Sequence, residues 1–224
     1  MDFSVRAITL DLDDTLWPFA PIGARIERVL DDWMRTHSPR TAEQFPIDAM
    51  RELRERVHAE HPHLIHDLGE VRRLTLQRAL TESGGDATLA DAAYAAFYAE
   101  RNRVECYPDS IAALARIAAR VPVAAVTNGN ADLERIGLAK YFSFSLGARE
   151  HGAAKPDASI FLDACARLRC AAHEVLHVGD DIELDVIGAA RAGLRTCWIN
   201  RIADGDDAPR AWPSDAPPPD LECS

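Results

Sequence analysis

The apolar positions of this chain follow two different periods. Val5-Arg6-Ala7-Ile8-Thr9-Leu10 is a short, largely apolar run with β-branched residues, and it predicts a buried strand. From Ile22 to about Val104 the spacing turns helical. Ile22, Ile26, Val29, Leu30, Trp33 and Met34 recur at threes and fours, the stripe of an amphipathic helix. Pro46 suits a first helical position ahead of Ile47, Met50, Leu53 and Val57. A third helix is expected from about Asp67 to Glu82, stopped by Gly84-Gly85, and a fourth, rich in alanine, over about Thr88 to Asn102.

Beyond residue 104 strands and helices alternate. Asp109 or Ser110 caps a helix through Ala119, Pro122-Val123-Ala124-Ala125-Val126 is a buried strand, and a weaker strand lies near Phe142 to Leu146. A helix from about Asp157 to Leu168, a strand at Val175-Leu176-His177-Val178, a helix to Arg191 stopped by Gly193, and a strand at Arg195–Ile199 follow. Such alternation with short connections predicts an α/β fold, a Rossmann-like parallel, right-handed sheet. Residues 1–17 and 105–202 are assigned to that core and residues 18–104 to a four-helix module inserted after the first strand. Residues 203–224, rich in Asp and Pro, are expected to be a loose tail.

Composition narrows the function. A formal charge of −11 has the wrong sign for a phosphate-backbone binder, so no nucleic-acid partner is expected. No apolar run approaches the ~20 residues of a membrane span. Met1-Asp2-Phe3-Ser4 lead directly into the first strand without the apolar segment of a signal peptide. Five cysteines, an odd set without C-x-x-C spacing, read as the free thiols of a cytoplasmic protein.

The chemistry sits where the strands stop. The predicted strands end in Asp11/Asp13, in Thr127/Asn128 and in Asp180/Asp181, and parallel neighbours bring those ends to one rim. A helix-capping turn is the competing reading of Asp11-x-Asp13, but the apolar strand before it argues against that. Carboxylates converging on one rim suit a hard cation that takes oxygen ligands, and magnesium fits better than calcium, for which no loop is dense enough. Lys155 adds a fixed positive charge. A cation, a lysine and the strand-end Thr127-Asn128-Gly129 together cradle a dianion, which points to phosphoryl transfer.

Asp11-x-Asp13-x-Thr15-Leu16, Thr127, Lys155 and Gly179-Asp180-x-x-x-x-Asp185, in that order, resemble the motif set of the haloacid dehalogenase superfamily. The resemblance implies Asp11 as a nucleophile forming an aspartyl-phosphate and Asp13 as the acid and base. It implies that Thr127 and Lys155 hold phosphoryl oxygens, that Asp11, the Asp13 carbonyl and Asp180 bind magnesium, and that Asp185, and in one reading Asp181, support from behind. Members that cleave carbon–halogen bonds lack an acid at the Asp13 position, so a phosphatase is implied. The inserted helices resemble the cap that closes over small substrates, and the short stretch from Thr127 to Lys155 leaves no room for the other cap type.

Val126-Thr127-Asn128-Gly129-Asn130-Ala131, His151–Pro156, His177–Asp181, Cys197-Trp198-Ile199 and His66-Asp67 resemble a bacterial subgroup. That subgroup acts on flavin mononucleotide and on 5-amino-6-(5-phospho-D-ribitylamino)uracil. The expected partner is thus a small phosphorylated metabolite, met by a monomer or weak homodimer. Asn128, Gly129, Trp17, His66 and Arg72 are the candidate substrate contacts. Two readings stay open for Trp17, stacking on a ring or packing the hinge, and two for His66-Asp67, substrate contact or helix cap. The tract His58-x-x-His61-x-His63-x-x-His66 reads as a solvated loop, because Pro62 breaks the helical face a zinc site would need. Asp14 is assigned to a turn and His177 to the core. A phosphosugar mutase and a catalytically silent phosphate-binding protein are the alternative functions.

Overall fold

Strands buried on both faces need helices on both faces, and the strands Ala7–Leu10 and Val123–Thr127 are buried at every position. The computed structural model describes residues 3–202 and 210–224. In chain order it begins with β1 (Ala7–Leu10), followed by α1 (Phe19–His37), α2 (Pro39–Gln44), α3 (Ile47–Glu60), α4 (Leu68–Glu82) and α5 (Ala90–Arg101). Then come α6 (Ser110–Ala118), β2 (Val123–Thr127), α7 (Leu133–Ile136), β3 (Phe144–Gly147), α8 (Ala148–His151) and α9 (Ala158–Leu168). β4 (Val175–Gly179), a π-helical turn (Ile182–Ile187), α10 (Gly188–Arg191), β5 (Arg195–Ile199) and β6 (Leu221–Cys223) complete it.

The chain divides into two compact units. One comprises Met1–Pro18, Cys106–Gly129 and Leu133–Ser224, the other Phe19–Glu105 with Asn130–Asp132. In the first unit all six strands are parallel, in the order β3-β2-β1-β4-β5-β6. This is the Rossmann order, and chain direction across the sheet reverses between β1 and β4, where ligands of such sheets bind at the carboxyl ends. Leu10 is in register with Ala125 on one side and Val178 on the other, so the residues that follow β1, β2 and β4 leave the sheet close together. Ala7, Val126, Leu146, Ile160, Phe161, Ala164 and Val175 pack into one apolar cluster. Each large member contributes about 1.5–3 kcal/mol by leaving water.

The second unit is all helical. Ile22, Ile26, Leu30 and Met34 of α1 are buried at four-residue spacing, and Phe45, Leu53, Val57, Val71 and Ala79 form its second cluster. Asp67 caps α4 by accepting from the Glu70 N–H at 2.9 Å. Pro46 precedes α3 instead of opening it. The short helix α2 is an element the periodicity does not predict, since six residues carry no repeat. Pro39 at its first turn and a hydroxyl chain, Ser38 to Thr41 to Ser83 at 2.7 Å each, hold it.

The C-terminal stretch departs from expectation. Residues 203–209 lie outside the described residues, but 210–224 are not loose: Leu221–Cys223 pairs in parallel with β5 as the sixth strand. Asp220 anchors this strand by accepting from the Thr196 N–H at 2.9 Å and from Arg195 at 3.1 Å. Among the described residues no helix is long and apolar enough to cross a membrane.

Candidate active site

Asp11 follows β1 directly, and its N–H is still held by the Val178 carbonyl of β4 at 2.9 Å. Its carboxylate is therefore fixed at the rim by the sheet itself. The next residues form a tight turn. Leu12 is fully buried, Asp14 adopts a left-handed backbone (φ 57°), and its N–H donates to the Trp17 carbonyl at 2.7 Å. Asp is one of the few residues that accept this conformation readily. The turn brings the Trp17 indole N–H to Asp13 Oδ1 at 2.8 Å. Trp17 is 0% exposed, so it offers no face for stacking on a substrate ring. Its place in the site is to hold Asp13.

Lys155 lies between two carboxylates. Its Nζ donates to Asp11 Oδ1 at 2.5 Å and to Asp185 Oδ1 at 2.6 Å, and Lys155 and Asp185 are 4% and 1% exposed. Burial works against the ammonium charge, but the two carboxylates outweigh it and raise the Lys155 pKa. Burial likewise disfavours ionised Asp185, and Lys155 and His177 more than reverse that, holding it below the usual carboxylate range. For Asp11 burial wins over Lys155, and its pKa is raised well above the ordinary value. One ammonium thus faces two buried carboxylates and leaves one under-compensated.

Asp185 reaches this position because β4 ends in glycine. A Cβ on Gly179 would lie 2.3 Å from Asp185 Cγ, so any other residue there would displace the carboxylate. His177, inside β4, bonds Asp185 Oδ1 through Nε2 at 3.0 Å and Thr9 Oγ1 through Nδ1 at 2.9 Å. Burial lowers its pKa against the opposing pull of Asp185, which favours the neutral ring. An ionised Asp185 then assigns the proton to Nε2 and leaves Nδ1 to accept from Thr9. His177 is core, as its sequence context suggests, but it also orients the Lys155 partner.

Asn128 and Gly129 differ from expectation. The Asn128 amide closes a two-bond ring with the Lys155 main chain, donating to its carbonyl at 2.9 Å and accepting from its N–H at 2.7 Å. The Gly129 N–H donates to Thr127 Oγ1 at 3.0 Å. These groups therefore position Lys155 and Thr127. Asp181 is taken up in the same way: its Oδ1 caps the π-helical turn by accepting from the Glu183 and Leu184 N–H groups at 2.9 and 2.8 Å. One of its two carboxylate oxygens is thus committed to the backbone of that turn.

Asp11, Asp180 and Asp185 each place a carboxylate oxygen within 4.8 Å of the others. Burial and the neighbouring Asp185 and Asp14 push Asp180 up to about 7. Buried acids destabilised by one another are what a divalent cation relieves, and an all-oxygen donor set suits magnesium over zinc. Asp185 already has both oxygens engaged, Oδ1 with Lys155 and His177 and Oδ2 with the Asp181 N–H at 3.1 Å. Asp11 and Asp180 are therefore the members suited to bind the ion. Thr15, which sequence reading left without a role, points its hydroxyl at Asp180 Oδ1 at 3.5 Å.

His66 and Arg72 belong to the helical unit. His66 is half-buried in the turn before Asp67. The Arg72 guanidinium sits 5.0 Å over the Phe97 ring and lines a small cavity with Leu30, Met34 and Met50, a packing position within that unit.

Comparison with known proteins fits this site to a family. Residues 5–193 match the family model for haloacid dehalogenase-like hydrolases. The chain is 36% identical over 206 residues to the 5-amino-6-(5-phospho-D-ribitylamino)uracil phosphatase YigB of Escherichia coli, covering 90% of this chain and 86% of that one. It is 38% identical over 151 residues to a phosphoserine phosphatase of Thermus thermophilus, covering 65% of this chain and 60% of that one. A solved structure named as a 2-haloacid dehalogenase from Pseudomonas syringae superposes with a TM-score of 0.88 at 36% identity, covering 98% of this chain and 94% of the other. The chain therefore belongs to the haloacid dehalogenase-like hydrolases, and the curated relatives it resembles there are phosphatases.

Proposed function

We propose that this protein is a magnesium-dependent phosphomonoesterase working through an aspartyl-phosphate on a small phosphorylated metabolite. The observation that carries the reading is the pair Asp11 and Asp13: one carboxylate fixed beside Lys155, the other held by the Trp17 N–H. In the first half-reaction an Asp11 oxygen bonds to phosphorus as the ester P–O bond breaks, and the leaving oxygen takes the proton of Asp13. In the second, Asp13 removes a proton from water, the water oxygen bonds to phosphorus, and the acyl-phosphate P–O bond breaks. Inorganic phosphate leaves and the Asp11 carboxylate is restored. Lys155 and Thr127 hold phosphoryl oxygens throughout, and Asn128 and Gly129 keep those two in place. Asp11, the Asp13 carbonyl and Asp180 would hold magnesium, which when bound supplies charge neutralisation for the approach of a carboxylate to a dianion.

The likeness to a protein named as a dehalogenase favours a second reading, halide displacement from a 2-haloacid. That reaction needs the nucleophile but no acid for an alkoxide, so a positioned Asp13 supports the phosphatase. One panel tests both: free phosphate from flavin mononucleotide, 5-amino-6-(5-phospho-D-ribitylamino)uracil, phosphoserine and sugar phosphates, and halide from 2-chloropropionate. Phosphate release that stops in EDTA and returns with magnesium is expected. Halide release without metal, with no ester cleaved, would overturn the proposal. The riboflavin precursor and flavin mononucleotide are proposed as the preferred esters because YigB is matched at 36% identity over 90% of this chain and 86% of its own. Selection of the leaving group is proposed for the helical unit, with His66 as the candidate, since Arg72 packs within that unit.

Trp17→Phe tests the Asp13 arrangement separately. Phenylalanine keeps an aromatic ring but removes the N–H, so kcat should fall by about tenfold or more, the ~1.5–3 kcal/mol of a hydrogen bond to a charged group. KM should change little and equally for aromatic and sugar esters. A KM rise confined to aromatic substrates would return Trp17 to a stacking role.

A further inference from the structure

The loop carrying Asp180 is pinned from an unexpected direction. Its carbonyl accepts two hydrogen bonds, from Trp198 Nε1 at 2.9 Å and from Arg210 Nη2 at 2.7 Å. The same guanidinium lies 3.6 Å from Asp180 Oδ2. Trp198 belongs to β5, but Arg210 comes from the C-terminal stretch, which matches no motif. Arg210 is itself seated with care. Asn200, 2% exposed, donates to its carbonyl at 2.9 Å and accepts from its N–H at 3.0 Å. The other Asn200 contacts are to the last strand: Nδ2 also donates to Glu222 at 2.7 Å, and the backbone N–H to the Cys223 carbonyl at 2.7 Å. Trp212 then packs edge-on against Trp198, ring centres 5.1 Å apart. The sixth strand, Asn200 and the two tryptophans form a seat that delivers one guanidinium to one carbonyl.

Resting on the magnesium reading above, we infer that Arg210 is a positioning residue for the cation site, acting through the Asp180 main chain. A peptide group is planar, so holding its carbonyl from two sides fixes the Asp180 Cα and its Cα–C axis, and Gly179, paired with Trp198 at the end of β4, holds the residue from the other side. Asp180 follows a glycine and carries one of the two carboxylates best placed for the ion, so this restraint decides whether its oxygen stays aimed at Asp11. Arg210 also has an opposing effect. A positive charge 3.6 Å from a ligand oxygen repels a cation, by a sizeable amount at a partly exposed site. The two effects predict opposite signs on removal of the side chain. If charge dominated, magnesium would bind tighter without Arg210. The paired donors on the carbonyl, the longer contact to the carboxylate and the dedicated seat assign the larger effect to positioning.

Calorimetric titration of the metal-free full chain with magnesium, beside its metal-free thermal midpoint, tests this. Arg210→Gln should raise the magnesium Kd about fivefold or more, which is about 1 kcal/mol. Arg210→Lys, which keeps a donor, should recover most of it. Both variants should melt within about 2 °C of wild type without metal, because the residue is partly exposed and its backbone is held by Asn200. An unchanged or lower Kd in Arg210→Gln overturns the inference while leaving the magnesium site intact. So does a raised Kd accompanied by a fall of the metal-free midpoint of more than about 5 °C. Failure of the wild type itself to bind magnesium, with Asp180→Asn giving the same trace, overturns the metal reading and this inference with it.

Discussion

An Asp11→Asn variant is expected to fold normally and to release no phosphate, at least about four orders of magnitude below wild type, or about 5.5 kcal/mol in the barrier. The amide has no anionic oxygen to bond to phosphorus, and among the described residues the neighbouring carboxylates are held by other partners. Asp185 has its oxygens engaged by Lys155, His177 and the Asp181 N–H, and Asp13 Oδ1 is held by Trp17. Folding should survive because burial already raises the Asp11 pKa and so disfavours its charge. Removing that charge relieves the crowding of carboxylates, while Lys155 keeps Asp185 as its partner. The metal-free thermal midpoint should therefore equal or exceed that of wild type. Acid quenching of wild type during turnover should trap a protein species heavier by one phosphoryl group, and the variant should show none. Turnover of Asp11→Asn within about tenfold of wild type (about 1.4 kcal/mol) would refute covalent catalysis by this residue.

The parts of this site legible in the sequence are those that secondary structure delivers. Asp11, Thr127 and Asp180 stand at or immediately after buried parallel strands, so recognising β1, β2 and β4 from their apolar runs already places them on one rim. What remained ambiguous depends on side-chain hydrogen bonds that no periodicity records. Asp180 and Asp181 are neighbours of identical chemistry. Only the π-helical turn, whose first N–H groups need an acceptor, makes the second a cap, while the first keeps its carboxylate beside Asp11 and Asp185. Trp17 carries an apolar body and one donor, and either could decide its place; the turn at Asp14 aims the donor at Asp13. Thr9 and His177 are in register on β1 and β4, a pairing that follows from strand order and is invisible until that order is known. The sixth strand is illegible in the sequence for a different reason. Leu221-Glu222-Cys223 is too short to show alternation, and its strand conformation comes from pairing with the edge of β5, a tertiary effect. The place of Arg210 depends on that strand and is hidden with it.

Lys155→Met should lower the thermal midpoint by about 10 °C as well as abolish activity, the larger stability effect expected at any single residue of the site. Methionine approximates the length and bulk of the stem but removes the one cation between Asp11 and Asp185, both buried. Removing one member of a buried ion pair costs about 3–5 kcal/mol, because the remaining charge keeps its desolvation penalty without its partner. In a chain of this size each kcal/mol is worth about 2–4 °C. The cost should arise largely at Asp185, which keeps His177 and the Asp181 N–H but loses its counter-charge. A second substitution separates this from lost packing. Asp185→Asn removes a carboxylate, retains an acceptor for His177, and leaves Lys155 paired with Asp11. If charge is the cause, Lys155→Met/Asp185→Asn should be more stable than the summed single effects predict, by at least about 1 kcal/mol. Magnesium should also stabilise Lys155→Met more than it stabilises wild type, since the ion supplies positive charge to the same carboxylates. Strict additivity, or a single variant within about 1 kcal/mol of wild type, would mean that the lysine acts on substrate alone and that the carboxylates find their compensation elsewhere.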